Sequence, residues 1–100
     1  MKHKMFTTVR RYEGVKEPEA AAKKVLEVFV PLISALPGFV EYRYIDLGGG
    51  SMMSITIFKS FSEAKAANEK ARIWVKSHLS SVLEPAVRIE AGSIVAYNAR

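Results

Sequence analysis

An α+β fold of one domain, spanning residues 1–100, is predicted by three observations. Four segments are rich in aromatic and β-branched residues, as strands are, and two longer segments carry an apolar stripe at helical spacing. Their order along the chain is strand, helix, strand, strand, helix, strand. The length of 100 residues, with 49% hydrophobic and 25% charged residues, suits a single core.

The first strand is predicted over residues 5–14, MFTTVRRYEG, and the first helix over 17–38. Pro18 suits the first turn of that helix. Its apolar stripe consists of Val25, Phe29, Leu32, Ile33 and Leu36. Pro31 lies inside the stripe, and because proline lacks an amide hydrogen and crowds the preceding turn, we expect a kink or break there.

A hairpin is predicted next, with strands over 39–47 and 52–60 joined by the glycine-rich turn 48–51. The second helix is predicted over 62–83, with Ser62 as its N-cap. Its stripe consists of Ala64, Ala67, Ala71, Trp74, Val75 and His78. The last strand is predicted over 86–98, with a bulge at Gly92, where the alternation shifts.

Right-handed crossovers in both halves give this element order a ferredoxin-like βαββαβ arrangement, a four-stranded antiparallel sheet with two helices on one face. The other face is left open, yet both sides of strands two and three carry apolar residues. We expect Met53, Ile55 and Ile57 on one side of strand three and Met52 and Phe58 on the other. In strand two we expect Val40, Tyr42 and Tyr44 on one side and Phe39 and Ile45 on the other. An apolar open face predicts a homodimer that packs sheet on sheet.

Composition narrows the classes of function. The net charge of +5 and the pI of about 9.6 come from single or paired basic residues alternating with Glu and Ala, not from a basic stripe. We therefore expect no nucleic-acid partner. No apolar stretch is long enough for a signal sequence or a membrane span, and the chain has no cysteine, so a cytoplasmic protein is expected.

The chain resembles the dimeric α/β-barrel superfamily, and within it the antibiotic-biosynthesis-monooxygenase-like (ABM-like) proteins. The segments that carry the resemblance are RRYEGV at 10–15, VPLISALPGFVEYRYID at 30–46, SITIFKSFSEAKAANEKARIWV at 54–75 and EAGSIVAY at 90–97. The resemblance implies a pocket between the sheet and the helices. It also implies cofactor-independent oxygenation of an aromatic or polyketide-like molecule, without cofactor or metal. The alternative is a non-catalytic ligand-binding or stress-associated dimer.

Candidate site residues follow from this placement. His78 is the candidate catalytic base, and Trp74, Asn68, Tyr42 and Arg11 are candidate substrate-binding residues. Each has a structural alternative: Trp74 as a core anchor, His78 as a helix-end residue bonded to a carbonyl. Arg11, together with Arg10 and Tyr12 on the same strand, either binds an anionic substrate or, as the favoured alternative, forms a salt bridge across the dimer.

Haem degradation is a less favoured alternative. Haem-degrading relatives place an Asn on the first strand and a His about three turns beyond a helical Trp. Here the first strand carries Thr7 and Thr8, and Trp74 and His78 are four residues apart. No haem-related role is therefore assigned, and His3 and His78 lack the partners that a metal site needs.

Overall fold

The computed structural model describes residues 4–78 and 86–100. Its strands and helices follow one another in the predicted order. The strands are β1 (Phe6–Tyr12), β2 (Phe39–Gly48), β3 (Ser51–Phe58) and β4 (Arg88–Ser93). The α-helices are α1 (Pro18–Lys24), α2 (Val30–Ser34) and α3 (Phe61–His78), and a π-helical segment, Val25–Phe29, joins α1 to α2.

The strands form one antiparallel sheet in the order β2-β3-β1-β4. Thr8 of β1 lies opposite Thr56 of β3 and Ala91 of β4, so β1 and β3 are central and β2 and β4 are the edges. This order confirms the predicted α+β ferredoxin-like fold. The tight β2–β3 turn depends on glycine, because Gly49 and Gly50 both have positive φ angles, of 61° and 86°.

The first helical region contains the irregularity expected from Pro31. The amide of Val30 donates to the carbonyl of Val25, the five-residue spacing of a π-helix, and Pro31 then stands in the first turn of α2. Proline cannot donate the next bond of the ladder, and the chain takes up the mismatch as a π-helical segment rather than ending the helix.

Ser60, and not the predicted Ser62, caps α3. The Ser60 hydroxyl accepts a bond from the backbone amide of Glu63 at 3.3 Å and donates to its carboxylate at 3.0 Å. The first of these bonds is the N-cap bond of a capping box, whereas the Glu63 carboxylate bonds the serine hydroxyl and not its backbone amide. The Ser62 assignment failed because the helix begins at Phe61, one residue earlier than the predicted start.

The core lies between the sheet and the helices. Its buried members are Val15, Ala21, Val25, Phe29, Ile33, Met52, Phe58, Ala64, Ala67 and Ala71. The three alanines of α3 are no more than 6% exposed, as expected for a helix that lies close to the sheet. No helix within the described ranges is long and apolar enough to cross a membrane.

Two expectations about the strands were wrong. Gly92 lies opposite Thr7 in an unbroken register, so β4 has no bulge there; the irregularities lie in β2, between Phe39 and Glu41 and between Asp46 and Gly48. The first of these also overturns the predicted side of Phe39. The extra residue, Val40, brings Phe39 opposite Phe58 and onto the helix-covered face, while Ile45 stays on the open face.

Candidate functional site

A cavity of about 540 Å³ opens between the helix-covered face of the sheet and α3. That volume is within the range of small-molecule sites. Val25 and Phe29 of the π-helical segment form one wall, Ala71 and Val75 of α3 form another, and Ile89 of β4, which is largely exposed, lines the edge. The irregular part of the first helical region therefore shapes the cavity directly.

The floor of the cavity consists of hydroxyl residues where a packed core would carry apolar ones. Ser54 and Thr56 point from β3 between the larger Met52 and Phe58, and Thr8 lies beside Thr56 on β1. All three hydroxyl residues are only 2–3% exposed. Because serine and threonine are short, they leave a hollow at the middle of the sheet that the flanking residues do not fill.

Aromatic rings form the side of the cavity above β2. Tyr42 contacts Phe29 edge to face, with ring centroids 5.4 Å apart, and Tyr44 contacts Tyr12 in the same manner at 6.2 Å. Such pairs are rigid, and they offer flat apolar surfaces together with phenolic hydroxyls. This wall suits a flat aromatic ligand.

Several polar atoms of the cavity have no hydrogen-bond partner among the described residues. They are the hydroxyl oxygens of Tyr44 and Thr56 and the side-chain carbonyl oxygen of Asn68, all of them buried. The Asn68 amide group donates to the Thr8 hydroxyl at 3.0 Å, which fixes the side chain and leaves its oxygen free. Buried polar groups without partners are costly, so these atoms are suited to meet a ligand or water.

Both tyrosines stay protonated over the physiological pH range. Burial raises the pKa of Tyr42 well above its usual value, and the neighbouring Tyr12 adds to the effect. Burial and the proximity of Tyr12 likewise raise the pKa of Tyr44 to about 12. Each phenol therefore enters the site as a neutral hydrogen-bond donor.

The charged residues of the described cavity wall are all basic: Arg10, Arg72 and Lys76. Arg72 is exposed and bonded to Glu69 at 2.7 Å. Arg10 is partly buried on β1, opposite Ser54 and Ile89, and makes no salt bridge within the described ranges. No group of three or more His, Cys, Asp or Glu that could hold a metal ion occurs in the part of the chain that the structure describes.

The predicted site residues divide between the cavity and other places. Asn68 and Tyr42 line the cavity together. Trp74 is half-buried and packs its ring on Phe29, with centroids 6.0 Å apart, so it supports the wall from outside the lining. His78 is the last residue of α3, and its side chain lies outside the described part of the chain, as does His3.

Arg11 does not reach the cavity. It alternates with Arg10 along β1 and so lies on the open face, where its guanidinium is bonded to Glu13 at 2.5 Å. The Glu13 carboxylate also accepts a bond from Ser51, and these two bonds hold its pKa below the usual range. Of the group Arg10, Arg11 and Tyr12, the cavity therefore contains Arg10 and Tyr12, and the position of Arg11 does not support a role in substrate binding. A salt bridge from Arg11 across the dimer stays a prediction.

Sequence reasoning missed the hydroxyl floor of the cavity. One signal was present in the pattern of β3, where Met52, Ser54, Thr56 and Phe58 share a face. Two small polar residues between two large apolar ones on a buried face indicate a hollow rather than a packed core.

No protein-family model matches the chain, and no curated protein matches it significantly. Comparison with solved structures does find similar folds. A protein of unknown function from Nitrosomonas europaea matches with a TM-score of 0.77 and 18% sequence identity, over 100% of this chain and 98% of that chain.

Two oxygenases are among the similar structures. SnoaB, a cofactor-independent oxygenase from Streptomyces nogalater, matches in a mutant form with a TM-score of 0.68 and 16% identity, over 96% of each chain. A monooxygenase from Streptomyces coelicolor, in complex with nanaomycin D, matches with a TM-score of 0.63 and 13% identity, over 99% of this chain and 91% of that one. At these identities the likeness concerns the fold, and it confirms the resemblance that the sequence suggested at that level. The chain has the fold of the ABM-like proteins.

Proposed function

We propose that this chain binds a hydroxylated polycyclic aromatic molecule in the helix–sheet cavity and oxygenates it without a cofactor. The observation that carries the proposal is the cavity itself, which has aromatic walls and a buried floor of Ser54 and Thr56 hydroxyls. The fold shared with a cofactor-independent oxygenase and with a monooxygenase that binds nanaomycin D supports the same assignment.

The chemistry needs an electron-rich substrate that reacts with O₂ once it has lost a proton. An anthrone is a suitable case: its ionised form transfers an electron to O₂ and then bonds to it. The resulting hydroperoxide loses water, so that CH₂ and O₂ become C=O and H₂O. In the ionised substrate the negative charge lies mainly on oxygen, and a group that stabilises this oxyanion promotes ionisation.

The residues of the cavity are suited to that stabilisation. Tyr44 is a neutral phenol whose hydroxyl has no partner in the described structure, so it is available to donate to the oxyanion. Arg10 supplies positive charge to the same cavity and favours the ionised substrate. The apolar wall limits water around the reacting carbon, which strengthens both interactions.

Oxygen uptake with anthrone tests the proposal. We expect the protein to accelerate conversion to anthraquinone with one O₂ consumed per anthrone, unaffected by a metal chelator or by added flavin. Tyr44→Phe should slow turnover by about tenfold or more, because an oxyanion donor is lost. A rate equal to autoxidation in buffer, for anthrone and for its hydroxylated derivatives, would contradict the oxygenase assignment.

The second candidate is a non-catalytic binding protein. It is favoured by one observation: the described wall of the cavity contains neither a carboxylate nor an imidazole that could act as a base. Among the described residues, an oxygenase reaction would then depend on the substrate's own acidity, assisted by the partly buried cation Arg10. Saturable binding of anthrone without any acceleration of oxygen uptake would support this alternative.

We also propose that two copies pair through the open face. The centre of that face carries partly exposed apolar residues from three strands, namely Val9, Ile45, Met53 and Ile55. Its edges carry ion pairs, Arg43 with Glu41 at 3.0 Å on β2 and Arg88 with Glu90 at 2.9 Å on β4. An apolar centre with a charged rim is the usual composition of a protein interface.

A further inference from the structure

Arg10 brings a positive charge to the cavity, and no carboxylate in the described part of the protein forms a salt bridge with it. Arg10 is partly buried in the floor, opposite Ser54 on one side and Ile89 on the other, and within the described ranges it forms no salt bridge. Because the side chain is only partly exposed, its charge is screened less than that of a fully exposed cation, and an anion within the cavity would interact with it more strongly. A cavity ligand is the partner that this arrangement leaves room for.

The other cations of the wall differ from Arg10 in their surroundings. Arg72 is already bonded to Glu69 at 2.7 Å, and both Arg72 and Lys76 are exposed on α3 at the rim. They attract an anion weakly, because solvent and salt screen them. Arg10 is therefore the residue positioned to bind an anionic group directly.

The polar groups around Arg10 define how such a ligand would lie. Tyr44 and Arg10 face the same residue, Ser54, from its two sides, so the free Tyr44 hydroxyl and the guanidinium belong to one row across the sheet. The Asn68 side chain is hydrogen-bonded to Thr8, which lies two residues from Arg10 along β1. The Cα atoms of Thr8 and Arg10 are therefore about 7 Å apart. That separation matches a fused aromatic system with an anionic oxygen at one end and a hydroxyl at the other.

We infer that the ligand of this cavity is an aromatic acid, whose permanent anionic group pairs with Arg10 and whose hydroxyl donates to the Asn68 oxygen, while the Tyr44 hydroxyl stays available to the oxyanion of the reacting ring. This inference rests on the proposed function and narrows its substrate class, from hydroxylated aromatic molecules in general to those that carry a carboxylate or another permanent anion. Neutral aromatic molecules of the same shape bind more weakly, because they leave Arg10 unpaired.

A matched pair of fluorescent probes tests the inference. Anilinonaphthalene sulfonate and N-phenylnaphthylamine share one aromatic skeleton, and only the first carries an anion. We expect the parent protein to bind the anionic probe at least about tenfold more tightly than the neutral one. In Arg10→Met the two affinities should become nearly equal, with the neutral probe almost unaffected.

Two variants serve as controls. Arg11→Met removes the neighbouring arginine from the opposite face of the same strand, and Lys76→Met removes a rim cation; both should retain the preference for the anion. Arg10→Lys keeps the positive charge and should retain part of the preference for the anionic probe. Thermal melts should show that all four variants are folded.

Three results would overturn the inference. Equal affinities in the parent protein, or an unchanged preference in Arg10→Met, would remove the role of Arg10. Loss of the preference in Lys76→Met, but not in Arg10→Met, would move the anion to the rim. In each case a neutral probe that still binds, or anthrone turnover, would leave the proposed function intact; the absence of binding by both probes would remove the cavity site altogether.

Discussion

At the scale of single residues, two threonines on neighbouring strands have opposite expected effects. Thr56 carries a buried hydroxyl with no partner among the described residues, whereas the Thr8 hydroxyl accepts a bond from Asn68 at 3.0 Å. Both side chains are 2–3% exposed and lie opposite each other in the sheet. They therefore form a matched pair in burial and residue type, and they differ in hydrogen bonding.

Thr56→Val should raise the free energy of unfolding by about 1 kcal/mol, because valine has the same shape and removes an unsatisfied group. Thr8→Val should lower it by about 1–2 kcal/mol, because the Asn68 amide then loses its acceptor. Urea unfolding of both variants measures the difference. Destabilisation by Thr56→Val as large as that by Thr8→Val would mean that the Thr56 hydroxyl is satisfied within the protein.

The side chains of β1 show why the sequence alone did not decide which of Arg10 and Arg11 faces the cavity. One face of the strand carries Phe6, Thr8, Arg10 and Tyr12, and the other carries Thr7, Val9 and Arg11. Both sets mix apolar and polar residues, so alternation alone does not say which set is buried, and a shift of one residue exchanges the faces. Pairing with β3, whose Ser54 and Thr56 are buried, settles the choice in the structure.

At the scale of elements, the order of strands and helices was predictable and the irregular positions were not. The hairpin followed from its glycine turn, and the long helix from its stripe of alanines, since both signals are local. The bulge at Val40 and the capping of α3 by Ser60 depend on pairing across strands and on the residue at which the helix starts. Tertiary contacts decide the exact position of such features, and a difference of one or two residues is enough to change it.

Proline positions provide a test of the π-helical segment. Pro31→Ala restores a backbone amide donor in the first turn of α2, directly after the π-helical segment. It should stabilise the protein by about 1 kcal/mol, because part of the cost of proline within a helix is removed. Pro18→Ala is the matched control at the first turn of α1, where proline is favourable, and it should cost about 0.5 kcal/mol. Denaturant midpoints measure both changes, and a lower midpoint for Pro31→Ala would contradict this origin of the π-helix.

At the scale of the whole molecule, the open face determines the expected assembly. We expect a dimer at micromolar concentration, with at least the ~1,600 Å² of buried area that specific interfaces have. Ile55→Arg, at the apolar centre of the face, should give monomers in sedimentation. Leu26→Arg makes the same change at a residue that is 67% exposed on the π-helical segment, and it should leave the dimer intact.

A parent protein that sediments only as a monomer would exclude this dimer. An Ile55→Arg variant that stays dimeric would instead move the interface to another surface.

The central claim is that the hollow above Ser54 and Thr56 is a binding site and not a packing defect. A larger side chain at Ser54 would fill the hollow from the sheet, because Ser54 is 2% exposed and lines the cavity. Such a substitution tests the claim. Ser54→Leu adds apolar volume there, whereas Ser77→Leu adds the same volume on the exposed side of α3.

The decisive measurement is the binding of N-phenylnaphthylamine to these two variants, together with their thermal midpoints. Ser54→Leu should melt at a higher temperature than the parent protein, because the filled void outweighs the lost hydrogen bond between Ser54 and Tyr42, and it should no longer bind the probe. Ser77→Leu should bind as the parent does. Probe binding by Ser54→Leu at the parent affinity would contradict the account, since the ligand would then occupy some other part of the protein.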